Sequence, residues 1–404
     1  MTPLDRARSL DAADPLAWAR ERFVTEGDVV AYLDGNSLGR PLRTTAGALT
    51  ELVAGPWASR LIRAWDEGWM HAPTELGDLL ARVTLGAAPG QTVVADSTTV
   101  LLYKLVRAAV AARPGRTEVV ADTENFPTDR FVLEGVAAEC GLTIRWVEPD
   151  AAAGVTLDDV RARLSERTAL VLLSHVAYKS AFVADLPRIT AAAHEAGALV
   201  LWDLCHSVGA LDLRLDDAGV DLAVGCTYKY LNGGPGAPAF AYVNAAVQHE
   251  IRQPIQGWMG AADPFAMGPA YTGAASVRQL VSGTPPIVAM APMREMLTLI
   301  DDVGMAAIRE KSVALTAFAV ELYDELLAPH GVELLSPRDP DSRGGHVSVG
   351  HPSFGTLVRR LWERGVIPDF RPPRGLRLGL SPLSTSFEEV AIGVAAIADG
   401  LRAV

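Results

Sequence analysis

The stretch ALVLWDLCHSVGALDLRLDDAGVDLAVGCTYKYLNGGPG, Ala198–Gly236, holds two short apolar runs, each ending on a residue able to do chemistry. The first, Ala198–Trp202, runs into Asp203. The second, Leu222–Cys226, passes through Thr227 and Tyr228 into Lys229 and a glycine-rich turn. Aliphatic runs this short, without polar alternation, read as strands buried on both faces, the mark of a parallel sheet covered by helices. Ligands of such sheets bind beyond the carboxyl ends of the strands, where Asp203 and Lys229 are expected to stand.

The same rhythm extends outward from Gln91 to Tyr242. Further candidate strands are Thr92–Ala95, Thr117–Asp122, Thr143–Val147, Ala169–Ser174 and Ala239–Val243. Between them lie amphipathic stretches Thr99–Ala112, Thr128–Cys140, Thr156–Ser165 and Leu186–Ala196, several opening on Thr, Asp or Pro and closing at Gly as helix caps require. After Pro286 the pattern changes. A long helical periodicity (about 288–327) gives way to short strands near Leu334–Pro337, His346–Val349 and Leu376–Leu380, then a final helix from Phe387. The expected architecture is α/β: residues 61–290 form a large domain with a mainly parallel seven-stranded sheet. Residues 291–404 form a smaller α+β domain, and residues 1–60 add to that domain and to an active-site loop.

Composition narrows the function. The 404 residues are 49% hydrophobic and 21% charged, ordinary for a globular enzyme, and no apolar run approaches the ~18–20 residues that span a bilayer. A net charge of −12 repels a phosphate backbone, so no nucleic-acid partner is expected. The opening residues carry acids early, so no secretory leader is expected. Three cysteines without a CxxC pair argue against a disulfide framework or a zinc site and point to the cytoplasm.

A carboxylate at a strand end can keep a heteroaromatic nitrogen protonated, and a desolvated lysine can form an imine. Together they make the pairing that pyridoxal phosphate needs. An isolated Asp there is often a helix cap and an isolated Lys is usually solvated. It is the conjunction, with His206 and Tyr228 alongside, that favours the cofactor. Thr98 and Thr99 end a strand and open a helix, which suits a phosphate or a plain N-cap. Arg377, between Leu376 and Leu378, is either a solvated strand residue or a buried partner for a carboxylate.

Four segments resemble the kynureninases, a family of fold type I pyridoxal-phosphate enzymes: YLDGNSLG (Tyr32–Gly39), NFPTD (Asn125–Asp129), WDLCHSVG (Trp202–Gly209) and TYKYLNGGPG (Thr227–Gly236). QGWMG (Gln256–Gly260), SGTPPI (Ser282–Ile287) and GLRLGLSPL (Gly375–Leu383) extend the likeness over essentially the whole chain. The resemblance implies that Lys229 holds the cofactor, Asp203 meets the ring nitrogen, and His206 sits by the ring or phosphate. It places Phe126 on the ring face, Asp129 near the ring substituents and Ser174 at a cofactor contact. The phosphate would be held by Thr98, Thr99 and the Tyr228 hydroxyl, with Trp258 and Thr284 reaching in from the second subunit of a homodimer. Arg377 would take the substrate α-carboxylate, with Asn36 and Ser37 in the same pocket. Trp69 and Gly283 would flank the substrate ring, in an arrangement that favours L-kynurenine over its 3-hydroxy derivative.

The implied reaction is hydrolytic Cβ–Cγ cleavage of L-kynurenine to anthranilate and L-alanine, in tryptophan degradation or NAD precursor supply. Lys229, displaced by the substrate amine, would take the α-proton, and Tyr228 is a candidate donor in later steps. One departure is Ser384, where some relatives carry tyrosine. The remaining histidines (His71, His194, His249, His330, His346, His351) show no ligand spacing and read as structural or solvated. A class V aminotransferase or a cysteine desulfurase-like lyase shares Asp and Lys but does not need the NFPTD, QGWMG and GTPPI blocks. A non-catalytic pyridoxal-phosphate regulator lacks room for a DNA-binding module, and a dinucleotide enzyme lacks GxGxxG after a first strand.

Overall fold

A computed structural model describes residues 1–150 and 152–402. Its main sheet has seven strands in the order Thr92–Ala95, Ala239–Val243, Leu222–Gly225, Leu199–Asp203, Thr168–Ser174, Glu118–Asp122, Thr143–Val147. Ala239–Val243 runs antiparallel to both neighbours, and the other adjacent pairs are parallel. Side chains alternate across the sheet: Val200 and Trp202 enter one apolar cluster while Leu199 and Leu201 enter another on the opposite face. Burial on both faces explains the unbroken aliphatic runs, and each such side chain contributes roughly 1.5–3 kcal/mol.

Helices cover both faces and start where the local sequence directs. Ser97 caps helix Thr98–Ala111 by accepting from Val100 N at 3.4 Å. Helix Pro127–Cys140 begins on proline and ends at Gly141, whose φ of 65° terminates it in the left-handed region. The expected strands of the large sheet agree with the structure to within about one residue, whereas Leu334–Pro337 is instead the short strand Glu333–Leu334, and Thr156–Ser165 shortens to helix Leu157–Arg161.

The second lobe is built on a five-stranded sheet, ordered Ala31–Leu33, Val366–Arg371, Gly375–Gly379, His346–Gly350, Glu333–Leu334. Only the first pair is parallel. Its core joins Ala7 and Leu33 to Phe318, Val347, Leu378 and Val394, so the N-terminal segment does contribute to it. Leu16, Phe23 and Leu42 from the same segment belong to the large core.

Two expectations need correcting. The helical periodicity over 288–327 is broken at Gly304, whose φ of 82° separates helix Ile287–Val303 from Met305–Leu322, and a π-helical turn follows at Tyr323–Leu327. Met290 to Ile308 pack on the large core and Leu315 to Leu327 on the small one, so the change-over lies later than residue 291. Strand Val366–Arg371 was not expected; Pro368 and a half-exposed face hide it. Among the described residues no helix is long and apolar enough to cross a membrane.

Candidate active site

At the carboxyl ends of strands Leu199–Asp203 and Leu222–Gly225 lies a cavity of about 140 Å³. Thr98, Thr99, Phe126, Asp129, Ser174, Asp203, His206, Tyr228 and Lys229 all line it. Ser97, Thr128, Tyr178 and Cys205 line it too, without having been singled out beforehand. The residues come from five separate segments, and the sheet brings them together because each leaves the same end of a strand.

Asp203 accepts from Cys205 N at 2.7 Å, which fixes one carboxylate oxygen. The Asp129 carboxyl, buried in the first turn of its helix, lines the same cavity as Asp203. Burial, then the Asp203 charge, pushes the Asp129 pKa well up, so it keeps its proton. Its Oδ2 has no partner among the described residues. Asp129, expected near the ring substituents, lines the cavity together with Asp203 and Lys229.

His206 Nε2 is 3.4 Å from Lys229 Nζ. Burial and then the positive charges of Lys229 and Arg377 hold His206 well below its ordinary pKa, leaving a neutral ring that can accept from the lysine. Burial likewise pushes the Lys229 ammonium down. Cys226, Cys205 and the Asp203 carboxylate more than offset it, so the lysine carries its proton in the protein alone. Desolvation by itself therefore does not deprotonate Lys229. The Lys229 ammonium lies 5.9 Å from the Phe126 ring centroid, and Phe126 meets Tyr178 edge-on at 5.3 Å. Burial raises the Tyr228 phenol, which remains a proton donor. Ser174 Oγ donates to Asn125 Oδ1 at 2.7 Å.

This donor set fits pyridoxal phosphate. Asp203 suits a protonated ring nitrogen, the unpartnered Asp129 oxygen suits a ring substituent, the first-turn N–H groups at Thr98 and Thr99 suit the phosphate, and Lys229 suits the aldehyde.

Arg377 lies beyond that cavity and is 2% exposed, which excludes the solvated reading. Its Nη1 donates to the carbonyl of Tyr178 at 2.7 Å and its Nη2 to Ser37 Oγ at 3.2 Å. Asn36 is fully buried. With its amide oriented to satisfy both neighbours, it accepts from Arg377 Nη2 at 3.3 Å and donates to Asp34 Oδ1 at 3.2 Å. Burial raises the Asp34 pKa to about 6. Gly39 N donates to Tyr228 O at 2.8 Å, and a Cβ on Gly39 would lie 2.4 Å from Lys229 O, so only glycine lets this loop approach the lysine.

Four expected residues do not join Lys229 within one chain. Trp69 meets Trp65 edge-on at 5.4 Å and lines a separate apolar cleft with Trp57, Pro285 and Pro286. Trp258 is 43% exposed, and Gly283 and Thr284 are exposed on a nearby segment. His346, expected to be structural or solvated, is not solvated. It is fully buried beside His206, with ring centroids 5.7 Å apart, and neither ring nitrogen has a partner among the described residues. No spacing in the sequence marks it, because it reaches the site from the other lobe.

The model of the kynureninase C-terminal domain matches residues 308–397, and that of Cys/Met metabolism PLP-dependent enzymes matches residues 90–262. A kynureninase of Pseudomonas fluorescens is 40% identical over 398 residues, covering 96% of this chain and 93% of its own length. A kynureninase of Burkholderia pseudomallei (strain 1106a) is 39% identical over 406 residues, covering 99% and 95%. An apo cysteine desulfurase from Thermococcus onnurineus NA1 superposes with a TM-score of 0.84 at 17% identity, covering 96% of this chain and 98% of that one. At that identity the likeness is one of fold.

Proposed function

This chain belongs to the kynureninase family and is a pyridoxal-phosphate-dependent hydrolase of carbon–carbon bonds, and from that premise we propose how its residues cleave L-kynurenine to anthranilate and L-alanine. The observation that carries the reading is the convergence of Lys229, the Asp203–Asp129 pair and the Thr98–Thr99 helix start on one cavity. Bound pyridoxal phosphate supplies an aldehyde for the substrate amine and a protonated ring that takes up electrons.

Lys229 holds the cofactor and then moves the proton at the substrate α-carbon. Asp203 keeps the ring nitrogen protonated, and Asp129 lies near the ring substituents. Neutral His206 accepts from Lys229 and steadies its amine. Tyr228 keeps its phenolic proton and donates it late in the reaction. Phe126 and Ser174 line the ring. Arg377, with Asn36 and Ser37, takes the α-carboxylate. Trp258 and Thr284 complete the phosphate site of a second copy in a homodimer, and Trp69 with Gly283 walls the substrate ring. The setting is cytoplasmic, in tryptophan degradation or NAD precursor supply.

Incubating the purified protein with pyridoxal phosphate and L-kynurenine should release fluorescent anthranilate together with one equivalent of L-alanine. Sulfide or persulfide from L-cysteine, with no anthranilate, would instead select the desulfurase reading.

A further inference from the structure

The substrate carboxylate subsite has a second determinant that the motifs do not show. We propose that Asp369 is the positioning residue of the Arg377 guanidinium, clamping its inner edge so that its outer edge faces the incoming carboxylate. This rests on the reading above that Arg377 takes the α-carboxylate.

The backbone sets the pair. Asp369 lies directly opposite Arg377 across one strand boundary, and Ser348 lies opposite it across the other. The three side chains therefore share one face of the smaller sheet. Asp369 Oδ2 accepts from Arg377 Nε at 2.6 Å and is also paired with Nη2. The same oxygen accepts from Arg371 Nε at 2.9 Å. On the outer edge, Nη1 reaches the carbonyl of Tyr178, a residue lining the Lys229 cavity, and Nη2 reaches Ser37 of the N-terminal loop. A guanidinium is a planar fork, so fixing the Nε–H edge fixes where both outer nitrogens point.

Charge alone does not account for this arrangement. Arg371 and Arg377 face Asp369 and Asp34, so positive charge is not in excess and long-range attraction for an anion is weak. Recognition then depends on directed hydrogen bonds, whose strength falls steeply with misalignment. The two explanations predict opposite signs. If Asp369 only neutralises charge, removing it improves affinity for a carboxylate. If it aims the fork, removing it weakens that affinity.

The test uses the holoenzyme and two ligands, L-kynurenine and the amine left when its carboxylate is removed. Binding is read from the change in the bound cofactor's visible absorption, alongside kcat and KM. Asp369→Ala should weaken L-kynurenine on the order of tenfold, the scale of a lost hydrogen bond to a charged group. The loss should fall on KM more than on kcat, with the decarboxylated amine changed by no more than about twofold. Asp369→Asn keeps one acceptor for the Nε–H and should recover part of the loss. Unchanged or tighter L-kynurenine binding in both variants overturns the proposal, as does equal weakening of both ligands. If the alanine variant does not fold, the asparagine variant decides by the same comparison of ligands, with matched thermal melts. Arg377→Met separates the premise: if it leaves the preference for the carboxylate ligand intact, the reading of Arg377 fails. If it abolishes that preference while the Asp369 variants keep it, only the clamp fails.

Discussion

The Lys229 cavity and the Trp69 cleft are built on opposite principles. The first, about 140 Å³, is lined by polar groups already bonded to neighbours: His206 to Lys229, Asp203 to Cys205 N, Ser174 to Asn125. The second, about 620 Å³, is lined by Trp57, Trp65, Trp69, Leu49, Pro285 and Pro286, and Trp57 is 52% exposed. One chain alone brings Lys229, Asp203 and His206 together in the first. The second leaves a large apolar surface in water, which soluble proteins rarely do unless another surface covers it. Its floor includes Gly233 and Gly234, just past Lys229, so the two regions share a wall. In the proposed assembly, bond chemistry belongs to one chain, whereas phosphate closure and ring recognition are shared with its neighbour.

The largest expected effect tests the closed region. Lys229→Ala should lose activity by several orders of magnitude, and borohydride should no longer fix a pyridoxyl group to the protein, as peptide mass mapping would show. An adduct on another lysine would transfer the site elsewhere. Next comes Asp203→Asn, which removes the charge behind the ring nitrogen. Turnover should fall by about a hundredfold or more while the cofactor stays bound, measured by stopped assays against cofactor content. Near-normal turnover would rule out this role for Asp203.

The open region is tested by mixing. Lys229→Ala and Trp258→Ala homodimers, dissociated and reassembled together, should regain up to about a quarter of the native sites, since half the dimers are mixed and each carries one intact site. A fully active monomer at sedimentation equilibrium would remove the basis of the comparison. For the ring wall, the ratio of kcat/KM should favour L-kynurenine over 3-hydroxykynurenine by roughly 5- to 150-fold, because Gly283 and Trp69 offer a buried hydroxyl no partner. Trp69→His with Gly283→Ser should narrow that ratio.

The smallest effect is on stability. His206 and His346 are held well below their ordinary pKa, chiefly by burial, so the unfolded chain binds protons that the folded one refuses. Their contribution is complete above about pH 6.5 and is lost as pH falls below it, by up to about 1.4 kcal/mol per pH unit for each ring. Urea melts of His346→Phe at pH 5 and pH 7 should differ less than those of the native protein. An unchanged acid slope would mean that His346 takes up a proton without penalty.

Much of the closed region can be read from the chain, because its residues sit where strands end and strand ends follow from unbroken aliphatic runs. Asp203 and Lys229 are placed by Leu199–Trp202 and Leu222–Gly225 directly. Tyr178, Asp369 and His346 cannot be read that way, since each matters only through packing between segments far apart in sequence. Gly304 escaped notice because apolar periodicity continues on both of its sides. The stretch around Trp57–Trp69 winds through π- and 3₁₀-helical turns, with Leu61 at a φ of 54°, and such turns follow no simple repeat.

The loop at Gly39 has a consequence for biosynthesis. Strand Ala31–Leu33 pairs with Val366–Arg371, and Gly35 N donates to Gly379 O at 3.1 Å, so the loop held by Tyr228 O gains its anchor in the smaller sheet only after residues some 330 positions downstream exist. During translation the large sheet can assemble early, since its strands lie close together in the chain. The carboxylate subsite cannot, because Ser37 waits for Arg377. An unfinished chain on the ribosome therefore holds the elements of the cofactor cavity without the means to seat an amino acid, and competence arrives only with the strand that carries Arg377.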